Sequence, residues 1–404
     1  MEKLPLTSTL SDNILCPSAI RHDNHSLPNA EIVFLTAARM YAAKEPCITC
    51  RPLGISETMT LTHYPFKSND ATANVTKRTL PQRLATWYET MKVERRERRQ
   101  SSDVPLACIN TRGPAVLGSE ELPLIFLTRN DRKLLPAFLS HYRGLGVTRF
   151  ICVDDASSDG SREFLLEQTD VDLWVSDVRF KEARRGRRWR ERLFSLYGTD
   201  RWYVNVDSDE FLIYEGFGNR GLRSVIDGLE GAGFLRMSAP MLDMYPIDLE
   251  SAEVEKLEQS DPWTVADHFD GDGYTLTTTK RAISVRGGPR EREFKSGLEL
   301  IKYPLIFWDA KCRFGPSIHQ PLPYGRNFVP VMGVLLHFKF FADYAEVAKA
   351  AVEGGQYFNN SSAYSSIVEK MDQNGSLRLQ SDLSRKYTGP DQLVKMGFFL
   401  PVPK

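Results

Sequence analysis

The chain has 404 residues, of which 42% are hydrophobic and 11% aromatic, enough apolar material for a sizeable packed core and too much for a disordered chain. Its 52 Lys and Arg balance its 52 Asp and Glu, which argues against holding nucleic acid by bulk electrostatics. No stretch supplies the ~18 consecutive apolar residues of a membrane-spanning helix, and the most apolar one, Phe328 to Phe341, carries His337 and Lys339.

The start, MEKLPLTSTLSDNIL, lacks a basic segment followed by an apolar run, and six cysteines in so long a chain do not form a disulfide framework, so a cytoplasmic, reduced setting is expected. Residues 1–120 read as an N-terminal extension with a linker, polar and punctuated by Pro and Gly. Within it, Cys47-Ile-Thr-Cys50 has zinc-knuckle spacing, but no second pair follows, and ordinary thiols are the better reading. Pro81 to Arg99 is an amphipathic helix candidate with Leu84, Trp87, Tyr88 and Met91 on its apolar side; its terminal charge run mixes signs and reads as a solvated helix end. Residues 101–121, rich in Ser, Gly and Pro, read as linker.

From Leu122 apolar strands alternate with amphipathic helices, the pattern of βαβ units in a mostly parallel sheet. Strands are expected at Leu122 to Thr128, Phe150 to Val153, Asp172 to Ser176, Trp202 to Val206 and Phe234 to Pro240. Helices are expected at Asp131 to Leu145, from Gly160 through Glu167, and at Gly186 to Tyr197, the last burying Trp189, Leu193, Leu196 and Tyr197. Tyr274 to Val285, Leu298 to Trp308 and Val331 to Phe341 are further strand candidates. Residues 346–404 read as a C-terminal helical segment, with helices near Ala342 to Glu353 and Ala363 to Gln373. The fold class expected is α/β, a Rossmann-like sheet flanked by helices, occupying residues 121–345.

Open α/β sheets bind ligands at the carboxyl ends of their strands, and both acidic clusters sit there. Asp207-Ser-Asp209 follows an apolar strand, and two carboxylates so placed can bind a hard divalent cation that completes its shell with water and phosphate oxygens. In ICVDDASSDGS (151–161), Asp154 or Asp155 could accept hydrogen bonds from a base or ribose hydroxyl, or the acids could simply cap and turn the chain.

ICVDDASSDGS followed by YVNVDSDEFLIY resembles the glycosyltransferase family 2 superfamily, of the GT-A fold. The likeness is to a bacterial branch combining Arg129-Asn130 with Leu135-Pro136, the run Asp207-Ser-Asp209-Glu210-Phe211, and Leu335-Leu336-His337-Phe338-Lys339; RRWRERLFSLYG, MLDMYP, GGPREREF and KYPLIFW add to it. The resemblance spans about residues 122 to 345. It implies a metal-dependent sugar transfer, with Mn²⁺ or Mg²⁺, from a nucleotide-sugar, most often a UDP-sugar, to a glycan or lipid-linked acceptor, usually with inversion. Thr128, Arg129, Asn130 and Asp154 or Asp155 would hold the nucleoside, and Asp207 and Asp209 the metal on the diphosphate. A bacterial cell-surface polysaccharide pathway, at the inner face of the plasma membrane, is an expectation from the resemblance alone.

The leaving nucleoside diphosphate gains charge as its bond to the sugar breaks, so a metal and cationic side chains stabilise the transition state directly. The base that takes the acceptor proton is expected to be Asp243, with Glu210 and Asp309 as alternatives. His337 and Lys339, two residues apart on one side of a strand, could present a metal ligand and a phosphate contact; His319 could line the acceptor site. KEARRGRRWRER (181–192) is basic, and Arg188 is the residue expected to fork onto the diphosphate, with Arg290 and Arg292 beside Gly287 and Gly288 as later candidates. The same stretch would let the protein touch anionic lipid. The competing reading is a catalytically inactive GT-A-like nucleotide-binding or scaffold protein; a nucleotidyltransferase would require a glycine-rich loop that does not open the α/β region.

Overall fold

A computed structural model describes residues 61–67, 77–100 and 103–403, apart from 250, 251, 253, 259, 356–364, 366, 367 and 370–376. The chain divides into Met1–Glu57, which lies outside the described residues together with Cys47 and Cys50, and Thr58–Lys404. Most of the helix expected at Ala363 to Gln373 also lies outside them. In chain order, β1 (Thr62–Tyr64) and α1 (Leu80–Arg99) precede β2 (Ala107–Cys108). Strands and helices then alternate through β3 (Pro123–Thr128), α2 (Leu135–Gly144), β4 (Arg149–Asp154), α3 (Ser161–Leu166), β5 (Val171–Val175), α4 (Arg187–Tyr197) and β6 (Arg201–Asn205). There follow β7 (Glu210–Ile213), α5 (Leu222–Gly231), β8 (Arg236–Met244), β9 (His268–Asp270), β10 (Tyr274–Thr278), β11 (Ile283–Arg286) and α6 (Gly288–Phe294). The chain continues through β12 (Ile301–Trp308), β13 (Arg313–Phe314), β14 (Pro321–Leu322), β15 (Val334–Phe338), α7 (Tyr344–Gly354), β16 (Ser384–Lys386) and α8 (Pro390–Met396).

All six residues of β3 are buried, as an uncharged run covered on both faces requires. Leu124 and Phe126 face one core with Phe138, Leu139 and Tyr142 of α2, while Ile125 and Leu127 face another with Trp189, Leu193 and Phe194 of α4. Gly186, at φ 72°, lets α4 approach this closely: a Cβ there would stand 2.1 Å from Leu127 Cδ1.

The central sheet has nine strands in the order β2-β5-β4-β3-β6-β12-β8-β15-β7. Strands β3 to β6, β8 and β15 run one way; β2, β7 and β12 run against them. This is a mixed α/β architecture with a large, mostly parallel sheet flanked by helices, compatible with a Rossmann-like fold. The directions have a geometric consequence. The ends of β3, β4, β6, β8 and β15 and the beginnings of β7 and β12 all meet along one edge, so Thr128, Asp154, Asp207, Glu210, Asp243, Lys302 and His337 converge there. Asp309, after the other end of β12, lies at the opposite edge, where Trp308 pairs with Arg201.

Several elements depart from expectation for identifiable reasons. Helix α2 begins at Leu135, not Asp131, because Pro136 is tolerated only in a first helical turn. Strand β8 runs past Pro240 to Met244, so Asp243 lies within it and not after it. Tyr274 to Val285 is a hairpin of β10 and β11, and the expected linker contains β2, which pairs antiparallel with β5. On α4, Leu196 is exposed and Arg188 and Arg190 are buried in its stead. Helix α1 is inverted most completely. Its buried face is Thr86, Thr90, Val93 and Glu97, because the Thr86 hydroxyl donates to the Lys280 carbonyl at 2.6 Å and Thr90 Oγ1 accepts from the Tyr324 amide at 3.2 Å.

His141 of α2 is enclosed by Tyr142, Phe211, Phe217 and Trp263, and its Nε2–H donates to the Leu212 carbonyl at 3.1 Å. Burial lowers its pKa to about 4. The unfolded chain takes up this proton near the ordinary value of about 6.5 and the folded one does not, so stability is intact above that value and falls as pH drops toward 4. Urea denaturation at stepped pH should show a loss approaching roughly 3 kcal/mol over this window that a His141→Gln variant lacks.

Candidate functional site

Strand β6 delivers the chain to Asp207, and a turn closed by the Glu210 amide donating to the Asp207 carbonyl at 3.1 Å leads at once into β7. This turn gathers cations from three elements. Arg190 of α4 bonds Asp207 Oδ1 and also holds Asn205 Oδ1 at 2.6 Å and the Val206 carbonyl at 2.9 Å. Lys302 of β12, itself buried, reaches Asp207 Oδ2 at 2.6 Å and bonds Glu210. Lys339, just beyond β15, pairs with Asp209 at 2.7 Å. Burial pushes the Asp207 carboxyl up, but Lys302 and Arg190 outweigh it and hold that carboxyl well below its usual range. Asp209 is likewise lowered, with Lys339 and His337 overcoming burial. Glu210 moves the other way: burial, together with Asp207 and Asp209, raises it against the pull of Lys302.

Pairing of β15 with β8 sets His337 beside Asp243, and pairing with β7 sets it beside Glu210. His337 Nδ1–H donates to Asp243 Oδ1 at 2.6 Å, which leaves Nε2 directed at Asp209, 3.5 Å away. Asp243 Oδ2 meets Arg290 at 2.8 Å, and these partners hold its carboxyl well below the usual range despite burial. A carboxylate so bound is a poor base. Its place is behind the imidazole, fixing tautomer and orientation. Asp209, Glu210 and His337 each offer a ligand atom, all within 4.8 Å of one another. Two carboxylates and an oriented imidazole fit a divalent cation; compared with the expected set, Glu210 stands where Asp207 was placed.

The ends of β3 and β4 are knitted into the same edge. Asp131 Oδ2 accepts from Ser208 Oγ, from Thr128 Oγ1 at 3.3 Å and from the Arg129 amide at 3.4 Å, tying the first strand end to the Asp207–Glu210 turn. Burial and Asp209 push the Asp131 carboxyl up to about 6. Asn130, at φ 56°, donates its amide to Ser157 Oγ and accepts from the Ser158 amide. Asp154 accepts from the Ser157 amide at 3.1 Å and from both Nε and Nη2 of Arg162, so it caps and turns the chain. Asp155 bridges Arg129 at 3.3 Å and Arg179 at 2.8 Å, and burial raises its carboxyl to about 6. Of the two, Asp155 is the one that reaches toward Arg129 and the first strand end.

The structure therefore brings together Thr128, Arg129, Asn130, Asp155, Asp207, Asp209, Asp243, His337 and Lys339, and it does not bring Arg188. That guanidinium bonds Glu191 at 2.7 Å and the Gln100 carbonyl at 3.1 Å and approaches Glu97 of α1 at 3.7 Å. Arg188→Ala should therefore lower stability by about 1–3 kcal/mol through the lost bonds of a buried guanidinium, as calorimetry on the variant would show. Arg292 also turns away, to Asp270. His319 donates Nδ1–H to the Ile301 carbonyl at 2.8 Å, and burial and Lys302 lower its pKa to about 4, so a neutral ring borders Lys302.

No family model matches the chain, and no curated protein matches it. Thirty-five chains of solved structures match. One of them, the crystal structure of 4-diphosphocytidyl-2C-methyl-D-erythritol synthase, aligns at 11% identity with a TM-score of 0.23, over 70% of this chain and 99% of that one.

Proposed function

We propose that the protein is a glycosyltransferase of the GT-A type, moving a sugar from a nucleotide-sugar, a UDP-sugar in the first instance, to a hydroxyl of a glycan or lipid-linked acceptor with inversion. The observation that carries this reading is the convergence of the Asp207-Ser-Asp209-Glu210 turn, His337 and three cations on the sheet edge where β3 and β4 also end. Asp209, Glu210 and His337 would hold Mn²⁺ or Mg²⁺, the carboxylates suiting either and the imidazole favouring manganese. When bound, the ion would neutralise charge on the departing diphosphate.

The chain's own residues account for the rest. Thr128, Arg129, Asn130 and Asp155 border the space for the nucleoside. Lys339, Lys302 and Arg190 supply positive charge where the leaving group gains negative charge. As the acceptor oxygen bonds the anomeric carbon, the bond to the diphosphate oxygen breaks and the acceptor proton passes to a carboxylate. Asp131, whose proton affinity is raised, has more of the required basicity than Asp243.

One observation favours a second reading, nucleotide binding without turnover: both oxygens of Asp207 are already held, by Arg190 and Lys302. Incubating the protein with a panel of UDP-sugars and Mn²⁺ separates the two. Release of UDP that requires Mn²⁺ supports the transferase; tight UDP binding with no release from any donor or acceptor supports the second reading.

A further inference from the structure

We propose that the outward face of α1 is a docking surface for an anionic lipid bilayer. The helix is firmly seated: Thr79 and Gln82 form a capping box at its start, and Thr86, Thr90, Val93 and Glu97 bury its inner face. With Thr86 and Thr90 inward, its largest apolar residues project outward. Leu80 is 66% exposed, Leu84 46%, Trp87 56% and Tyr88 67%. At 100° per residue these four and Met91 lie on one stripe, and the last turn continues it with Arg95, Arg98 and Arg99. Aromatic and leucine side chains followed by arginines suit the boundary between acyl chains and anionic headgroups.

Charge complementarity selects this occupant. The helix carries Arg83, Lys92, Arg95, Arg96, Arg98 and Arg99 against Glu89, Glu94 and Glu97. Each acid is already engaged by an arginine: Glu89 by Arg281 at 2.6 Å, Glu94 by Arg98 at 2.7 Å, and buried Glu97 by Arg184 at 3.1 Å. The outward field is therefore positive, and it lies beside the exposed apolar stripe. The basic run 181–192, which also reads as lipid-facing in the sequence, is in part spent inward, with Arg184, Arg187 and Arg188 gathered around Glu97. Among the described residues no helix is long and apolar enough to cross a membrane.

The test is flotation of the full chain with vesicles of phosphatidylcholine alone and of phosphatidylcholine mixed with phosphatidylglycerol. The wild type should float with the mixed vesicles and release at high salt. Arg95→Gln/Arg99→Gln should lower partitioning about twenty-fivefold, each cation near an anionic surface contributing about fivefold. Trp87→Ser/Tyr88→Ser should lower it about tenfold or more. All four side chains are exposed, so the variants should melt like the wild type. Equal flotation with both vesicle types, no flotation at low salt, or variants that float as well as the wild type would each overturn the proposal. So would a dimer in solution that Trp87→Ser/Tyr88→Ser dissociates while no vesicle binds, since that would make the stripe a contact between copies.

Discussion

Replacing Lys302 by Met is expected to cost about 3–5 kcal/mol of stability, the largest effect of any single substitution in the cluster, because it leaves a buried carboxylate without its cation. Lys302 is buried and answers both Asp207 and Glu210, and these two acids raise its own pKa against the effect of burial. Without it, Asp207 keeps Arg190, whereas Glu210 retains only the Asp207 amide at 3.1 Å. Two further results follow from the same geometry. Lys302→Met/Glu210→Gln should recover part of the loss, since the uncompensated charge is gone. The deficit of the single variant should also shrink as pH falls: Glu210 already binds its proton more tightly in the folded state than the unfolded chain does, so acid favours the folded variant as that carboxyl neutralises. Urea denaturation of the three proteins at several pH values measures all of this.

Asp209→Asn should lower kcat/KM by about 10²–10³-fold, an effect comparable to removing a principal electrostatic stabiliser of a transition state. Asp243→Asn should lower apparent Mn²⁺ affinity by about 10–100-fold, with a smaller change in kcat at saturating metal, because Asp243 touches His337 and Arg290 and acts through the imidazole. The order of the two separates a ligand from the residue that orients one. Were Asp243 the base, kcat at saturating Mn²⁺ would collapse in Asp243→Asn instead. Metal titrations with turnover and with Mn²⁺ electron paramagnetic resonance read the two quantities independently.

The parallel half of the sheet was legible because its strands are continuous apolar runs, and Pro123–Thr128 and Arg149–Asp154 differ from the expected bounds by only a residue or two. Strand β7 was not, since Glu210–Ile213 is short and follows the acidic turn without any break in pattern. The convergence of Asp207, Asp209, His337 and Lys339 could be read from strand ends and period-two spacing. Pairing register could not, and register is what puts His337 on Asp243. Arg188 and Arg190 are two residues apart in one basic run, and composition gives them equal weight. Helical phase decides: Arg190 points at Asp207 and Arg188 at α1. Lys302 left a signal in KYPLIFW, a cation entering an otherwise apolar strand, which calls for a buried acidic partner. For α1, hydrophobicity alone predicts the wrong face, because Thr86 and Thr90 dock by hydrogen bonds to Lys280 and Tyr324 that lie far along the chain.

The most direct test of the central claim is thermal stabilisation of the protein by UDP, GDP, CDP and ADP, each with and without Mn²⁺, in wild type and in Asp209→Asn. A ligand that binds only the folded state raises the midpoint by mass action. One diphosphate, UDP first, should raise it only when Mn²⁺ is present, and Asp209→Asn should abolish the metal dependence. No shift with any nucleotide, or a shift that ignores both Mn²⁺ and Asp209, would contradict the assignment of this sheet edge as a metal-dependent nucleotide-sugar site.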